Sequence, residues 1–120
     1  KVTGKVALIT GASRGIGRGT AICLEEHGAD IVINYPKCDD EAQQTADAVS
    51  ALGRKAPIVQ ADVSDRDAVE ATFERVEHFG HIDIVVANAA YTGRGPIVDL
   101  DWQEVSRTID VSQSGDFHTC

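Results

Sequence analysis

One stretch limits the folds open to this chain more than any other. It is Thr10-Gly11-Ala12-Ser13-Arg14-Gly15-Ile16-Gly17, with glycines at positions 11, 15 and 17. A short apolar run, Val6-Ala7-Leu8-Ile9, precedes it, and an amphipathic run ending near His27-Gly28 follows. The order is strand, glycine-rich turn, helix. Such a turn presents main-chain N–H groups at the positive end of a helix, where a pyrophosphate can sit. Gly11 allows a φ that a Cβ forbids. Gly15 lets the backbone approach phosphates, and Gly17 lets the helix pack closely on the strand. An ordinary βα loop is the bland alternative, but the flanking elements are those the phosphate seat requires.

Read in order, the chain alternates strand and helix four times. Lys5 to Thr10 is a continuous apolar strand, as expected when both faces are covered. From Gly15, residues Ile16, Thr20, Cys23, Leu24 and His27 fall at helical spacing, and Gly28 stops the helix. Asp30 to Asn34 is a second strand, closed by Tyr35-Pro36. A second helix opens on Asp39-Asp40-Glu41 and buries Ala42, Ala46, Val49 and Leu52. Ala56 to Ala61 is the third strand. Ser64 is the expected N-cap of the third helix, with Asp67 closing a capping box, and Val69, Thr72, Phe73 and Val76 form its inner face. Ile82 to Ala87 is the fourth strand. After a loop at Thr92-Gly93-Arg94-Gly95-Pro96, a last helical region begins near Asp99-Leu100-Asp101-Trp102. This pattern predicts an α/β, Rossmann-type doubly wound parallel sheet of order 3-2-1-4. A ligand then sits at the carboxyl ends of the strands, between strands 1 and 4.

At 120 residues the chain has room for one domain, 1–120. Its 19 acidic residues against 11 basic give a formal charge of −8, which argues against nucleic acid and anionic membranes as partners. No apolar run approaches the roughly 20 residues of a membrane span. Lys1-Val2-Thr3-Gly4-Lys5 leads directly into a strand, with no signal-like apolar segment, so a cytoplasmic protein is expected. Cys23, Cys38 and Cys120 fit neither a zinc pattern nor a disulfide framework. Cys23 is expected buried on the first helix and Cys38 in a loop.

Thr10 to Gly17 resembles the cofactor loop of the short-chain dehydrogenase/reductase family, and three later segments agree with it. Asp62-Val63 follows the third strand; in the family the acid meets the adenine amino group and its neighbour packs on the ring. A turn-capping Asp62 is the alternative. Ala87-Asn88-Ala89-Ala90 follows the fourth strand and is similar to the family's Asn-Asn-Ala-Gly, matching at Asn88 and Ala89; with Ala90 it would shape the adenosine pocket. The alternative for Asn88 is a turn asparagine in the left-handed region. In Asp110-Val111-Ser112-Gln113-Ser114-Gly115, Ser112 stands where the family usually has an asparagine that holds a proton-relay water in a kinked helix. Ser112 is read either as that relay or as a plain helix serine. The resemblance thus implies cofactor contacts from Gly11, Ser13, Arg14, Gly15, Ile16, Gly17, Asn34, Tyr35, Asp62, Val63, Asn88, Ala89 and Ala90. Asn34-Tyr35 stands where an acid would select NAD, Lys37 follows, and Arg14 lies in the loop, so NADP is favoured and NAD is the second choice. Within the family, Val32-Ile33-Asn34-Tyr35 looks most like bacterial glucose dehydrogenase and oxoacyl reductase types.

The family's catalytic Tyr-x-x-x-Lys has no counterpart here, since neither Tyr35 nor Tyr91 is followed by lysine four residues on. The expectation is the cofactor-binding half of a longer oxidoreductase that moves hydride to or from a small alcohol or carbonyl compound. The 120 residues alone are expected to be inactive. No metal is implied. The apolar face of the last helix, with Val105, Ile109 and Phe117, lacks an obvious partner within the chain, and the resemblance implies that this helix helps build a homo-oligomer, a dimer or tetramer, in the longer form. The alternative is a non-catalytic nucleotide-binding protein. A receiver-type domain fits less well, because Thr10-Gly11 is the wrong first loop for it.

Overall fold

The computed structural model describes all residues, Lys1 to Cys120. Its four strands are β1 (Val6–Ile9), β2 (Asp30–Tyr35), β3 (Ile58–Gln60) and β4 (Ile84–Val86). They form one parallel sheet of order β3-β2-β1-β4, as the alternation predicts. Strands β1, β3 and β4 are shorter than the apolar runs that contain them. Five helices connect or follow them: α1 (Gly15–Glu26), α2 (Asp39–Ser50), α3 (Arg66–Glu77), α4 (Trp102–Ile109) and α5 (Gly115–Thr119). A π-turn at Asp110–Ser114 joins α4 to α5 and supplies the kink that the resemblance implies.

Side chains alternate across the sheet and so divide the core in two. Ala7, Ile9, Ile31, Ile33 and Tyr35 face one way, against Ala21 of α1 and Ala42, Ala46 and Val49 of α2. Leu8, Val32 and Val59 face the other way, against Val76 and Phe73 of α3. Strands β1 and β2 are therefore covered on both faces, which is why they read as unbroken apolar runs, while Val85 of β4 stays exposed.

The helices bury different stripes from some of those expected. α1 turns Gly17, Ala21 and Glu25 inward, while Ile16 and Cys23 are exposed, so Cys23 is not a core residue. Close contact at Gly17 sets this rotation; hydrophobicity alone favours the other face. Leu52 lies beyond the end of α2 and is exposed. Asp65, not Ser64, caps α3, accepting from the Asp67 and Ala68 amides. Ser64 is instead drawn into a turn by Asp62, whose carboxylate accepts from the Ser64 amide at 3.0 Å and hydroxyl at 2.6 Å.

Candidate functional site

The carboxyl ends of all four strands open into one cleft of about 710 Å³, a size suited to a small-molecule ligand. Its floor is the glycine-rich turn. Gly11 and Gly15 both lie in the left-handed region, at φ +64 and +59. A Cβ on Gly11 would come within 2.9 Å of Ala89 Cα, so this glycine also brings the turn against the segment after β4. A Cβ on Gly15 would meet nothing within 4 Å; its backbone borders open cleft. Gly17 lies beneath. A Cβ there would strike Gly11 O and stand 2.7 Å from Asn88 Nδ2 and 2.9 Å from Ala12 Cα. Its close partners are thus the turn and Asn88, more than the strand.

The turn is tied down from three sides. The Ala12 amide donates to Asn34 O at 2.9 Å. The buried Thr45 hydroxyl on α2 donates to Ser13 O at 2.9 Å. Thr10 Oγ1 accepts from the amides of Asn88 and Ala89 at 2.9 and 3.0 Å, and Asn88 Nδ2 returns bonds to Thr10 O and Gly11 O at 3.0 and 3.3 Å. Asn88 is therefore a cross-strand tie and not a left-handed turn residue, since Cys38 is the one non-glycine with positive φ.

What remains free is the start of α1. Arg14 occupies its N-cap position in extended conformation, and its side chain makes no cap bond. By contrast, Asp65 and Asp101 cap α3 and α4. An uncapped first turn leaves N–H groups and the positive end of the helix dipole directed at the cleft.

Of the residues singled out from sequence, Gly11, Ser13, Arg14, Gly15 and Ile16 line the cleft. So do Asn34, Asp62, Val63, Asn88, Ala89 and Ala90. Tyr35 does not. It faces the α1/α2 side of the sheet and is buried in the core, because alternation along β2 sends it opposite to Asn34. Its phenol is pushed above the usual tyrosine range by burial and by the nearby Asp39 carboxylate. Asn34 lines the cleft but is almost wholly buried. Its amide donates to Ala61 O at 3.1 Å and Val59 O at 3.4 Å, joining β2 to β3. The side chains presented at this end are therefore those of Arg14, Lys37, Cys38 and Glu41.

The opposite wall is a polar network that sequence reading missed. Arg107 of α4 reaches back to Asp62, Nη2 to Oδ2 at 2.7 Å, and donates from Nη1 to Ser64 Oγ at 3.0 Å. Burial pushes the Asp62 carboxyl up, but the bonds from Ser64 and Arg107 outweigh it and hold it below the usual carboxylate range. Asp62 is thus both a turn cap and a salt-bridge partner. Arg107 also lies over the Tyr91 ring at 5.8 Å. The Tyr91 hydroxyl donates to Glu104 Oε2 at 2.7 Å, and that bond is the first cause of a phenol pKa above the ordinary value. Nothing local in the sequence joins position 62 to 107.

Ser112 donates to Tyr91 O at 2.9 Å and accepts from Tyr91 N at 3.1 Å. Its one donor is occupied, so in this geometry the hydroxyl ties the π-turn to the segment after β4. Gly115 seats α5 against Val63, since a Cβ there would lie 2.5 Å from Val63 Cγ2. His118 Nδ1–H donates to Val63 O at 2.9 Å. No cluster of three or more His, Cys, Asp or Glu side chains could hold a metal ion. No helix is long and apolar enough to cross a membrane.

The chain is similar to proteins of one family. The family model described as short chain dehydrogenase matches residues 5–120. Versicolorin reductase of Emericella nidulans is 41% identical over 118 residues, 98% of this chain and 45% of that protein. A short-chain type dehydrogenase/reductase from Mycobacterium marinum superposes with TM-score 0.93 at 34% identity, covering 99% of this chain and 48% of the other. An NAD⁺-bound xylitol dehydrogenase superposes with TM-score 0.93 at 32% identity, covering 99% and 46%. The chain spans less than half the length of these relatives. It belongs to the short-chain dehydrogenase/reductase family of oxidoreductases.

Proposed function

We propose that this chain is the dinucleotide-binding half of an NAD(P)-dependent oxidoreductase acting on a small alcohol or carbonyl substrate, with NADP favoured over NAD. One observation carries the reading: the uncapped first turn of α1, reached through two left-handed glycines, borders a cleft at the carboxyl ends of β1 and β4. Those amides would hold the diphosphate. Val63, with Asp62 and Arg107 behind it, would form the adenine side. Arg14 and Lys37 would meet a 2′-phosphate, Arg14 in the bidentate manner suited to phosphate. A bound nicotinamide would supply the hydride chemistry, and Asn88 to Tyr91, which line the cleft after β4, would help to position it. The printed names of the relatives, a reductase and an NAD⁺-bound dehydrogenase, support the class and leave both cofactors in play.

The proton donor of the reaction is proposed to lie in a Tyr-x-x-x-Lys segment outside these 120 residues. Ser112 acts here as a positioning residue. Trp102, Ile109 and Phe117 expose large apolar side chains on the last helical region, which supports a homo-oligomer.

Fluorescence titration of the full-length protein with NADPH and NADH tests the reading. Saturable binding, weakened for NADPH by Arg14→Ala, is expected. Failure to bind either nucleotide would overturn it.

A further inference from the structure

The cleft wall beside β2 holds an acid that the cofactor reading does not use. Glu41, in the first turn of α2, lines the cleft beside Lys37 and Cys38. Its Oε2 lies 3.9 Å from Arg14 Nε, close enough for an ion pair and too far for a hydrogen bond. That oxygen is shielded from solvent and has no hydrogen-bond partner, although the rest of the side chain is partly exposed. Glu41 is thus a charged group placed against Arg14 without a bond that satisfies it.

The charges around this pair make its position consequential. Two cations, Arg14 and Lys37, line the cleft with Glu41, which follows two further acids, Asp39 and Asp40, in the first turn of α2. Asp39 and Asp40 are both exposed. Glu41 alone meets Arg14. A 2′-phosphate brings two further negative charges to the same guanidinium and must displace this carboxylate or lie beside it. A ribose 2′-hydroxyl brings none and leaves the Arg14–Glu41 pair in place.

We propose that Glu41 is a specificity-determining residue that competes with the 2′-phosphate of NADP for Arg14. This inference rests on the cofactor reading given above and deepens it. Glu41 restrains a preference that the two cations alone would make strong, and it keeps NAD as a working cofactor. Arg14 and Glu41 form a matched pair: the arginine recruits phosphate, and the glutamate limits how far it does so.

Dissociation constants for NADPH and NADH, measured on the full-length protein and on Glu41→Gln, Arg14→Gln and the double variant, test this. Glu41→Gln is expected to tighten NADPH about fivefold, the scale of one partly exposed charge contact, and to raise the NADPH-to-NADH preference accordingly. The gain should shrink at high salt. On the Arg14→Gln background, Glu41→Gln should change NADPH binding by less than about twofold, because the contested group is gone. Unchanged or weaker NADPH binding in Glu41→Gln overturns the proposal. So does an equal gain with and without Arg14, which would indicate general repulsion in place of competition. If the folded wild type binds neither nucleotide, the cofactor reading fails and this one with it. If NADPH binds and Glu41→Gln is silent, only this inference fails.

Discussion

Two glycines two residues apart on α1 should respond to alanine in opposite directions. Gly19 is exposed, and a Cβ there meets nothing within 4 Å. Gly19→Ala should stabilise the protein by about 0.5–1 kcal/mol, the helix preference of alanine over glycine. Gly17→Ala gains the same preference and then loses more. Its methyl would strike Gly11 O and press on Asn88 Nδ2 at 2.7 Å and Ala12 Cα at 2.9 Å, two of these three being backbone atoms of the turn. Overpacking of this kind costs about 1–3 kcal/mol. Moving the Asn88 amide also weakens its bonds to Thr10 O and Gly11 O, each about 1 kcal/mol net. Gly17→Ala should therefore be about 2–4 kcal/mol less stable than Gly19→Ala, after the shared helix gain cancels. Urea unfolding of the two full-length variants reads the difference as a shift in midpoint at constant slope. NADPH affinity should fall in Gly17→Ala alone, because the displaced atoms are the floor of the cleft. Equal midpoints for the two variants would refute the claim that close packing at Gly17 sets the rotation of α1.

Other outcomes follow from the same contacts. Thr45→Val keeps the side-chain shape but removes the buried donor to Ser13 O, so it should cost about 1–2 kcal/mol and weaken NADPH binding; denaturation and titration check both. Asp62 has a folded pKa below its unfolded value, so its contribution to stability is full above the unfolded carboxylate range, near pH 4, and is lost as pH falls through the lower folded value. Arg107→Gln should flatten that acid-side loss in urea midpoints measured from pH 6 to pH 2.5 (~half-unit steps). Glu25 is a buried carboxylate on α1 whose Oε2 has no partner. Glu25→Met should raise stability by about 1 kcal/mol, as expected when a buried polar group without a partner gives way to an apolar side chain of similar length; a lower unfolding midpoint would contradict this.

The parts of the fold visible in sequence are those set by local pattern. Unbroken apolar runs marked four strands, and Gly28, Gly53 and Gly80 marked helix ends. Gly11, Gly15 and Gly17 could be assigned roles because each role depends on the absence of a side chain, which the sequence displays directly. Face assignments were harder. Cys23 and Ile16 look apolar enough for a core, yet α1 is rotated by contact at Gly17, a tertiary effect. Tyr35 and Asn34 are neighbours in sequence but lie on opposite faces of β2, so a site assigned to both could hold only one. Arg107, Thr45 and the pair of hydrogen bonds between Ser112 and Tyr91 join residues 21 to 45 positions apart. Nothing in the spacing of one strand or helix reveals such links. They depend on which ends the parallel topology brings together.

The central claim is that main-chain amides at the start of α1 seat a dinucleotide's diphosphate. Amide chemical shifts of the ¹⁵N-labelled full-length protein, followed as NADPH is added, test it most directly. The account predicts the largest shifts at Ser13 through Gly17, accompanied by shifts at Asp62, Val63 and Asn88 to Tyr91. Saturation of the protein with NADPH while the Ser13 to Gly17 amides stay in place would contradict it.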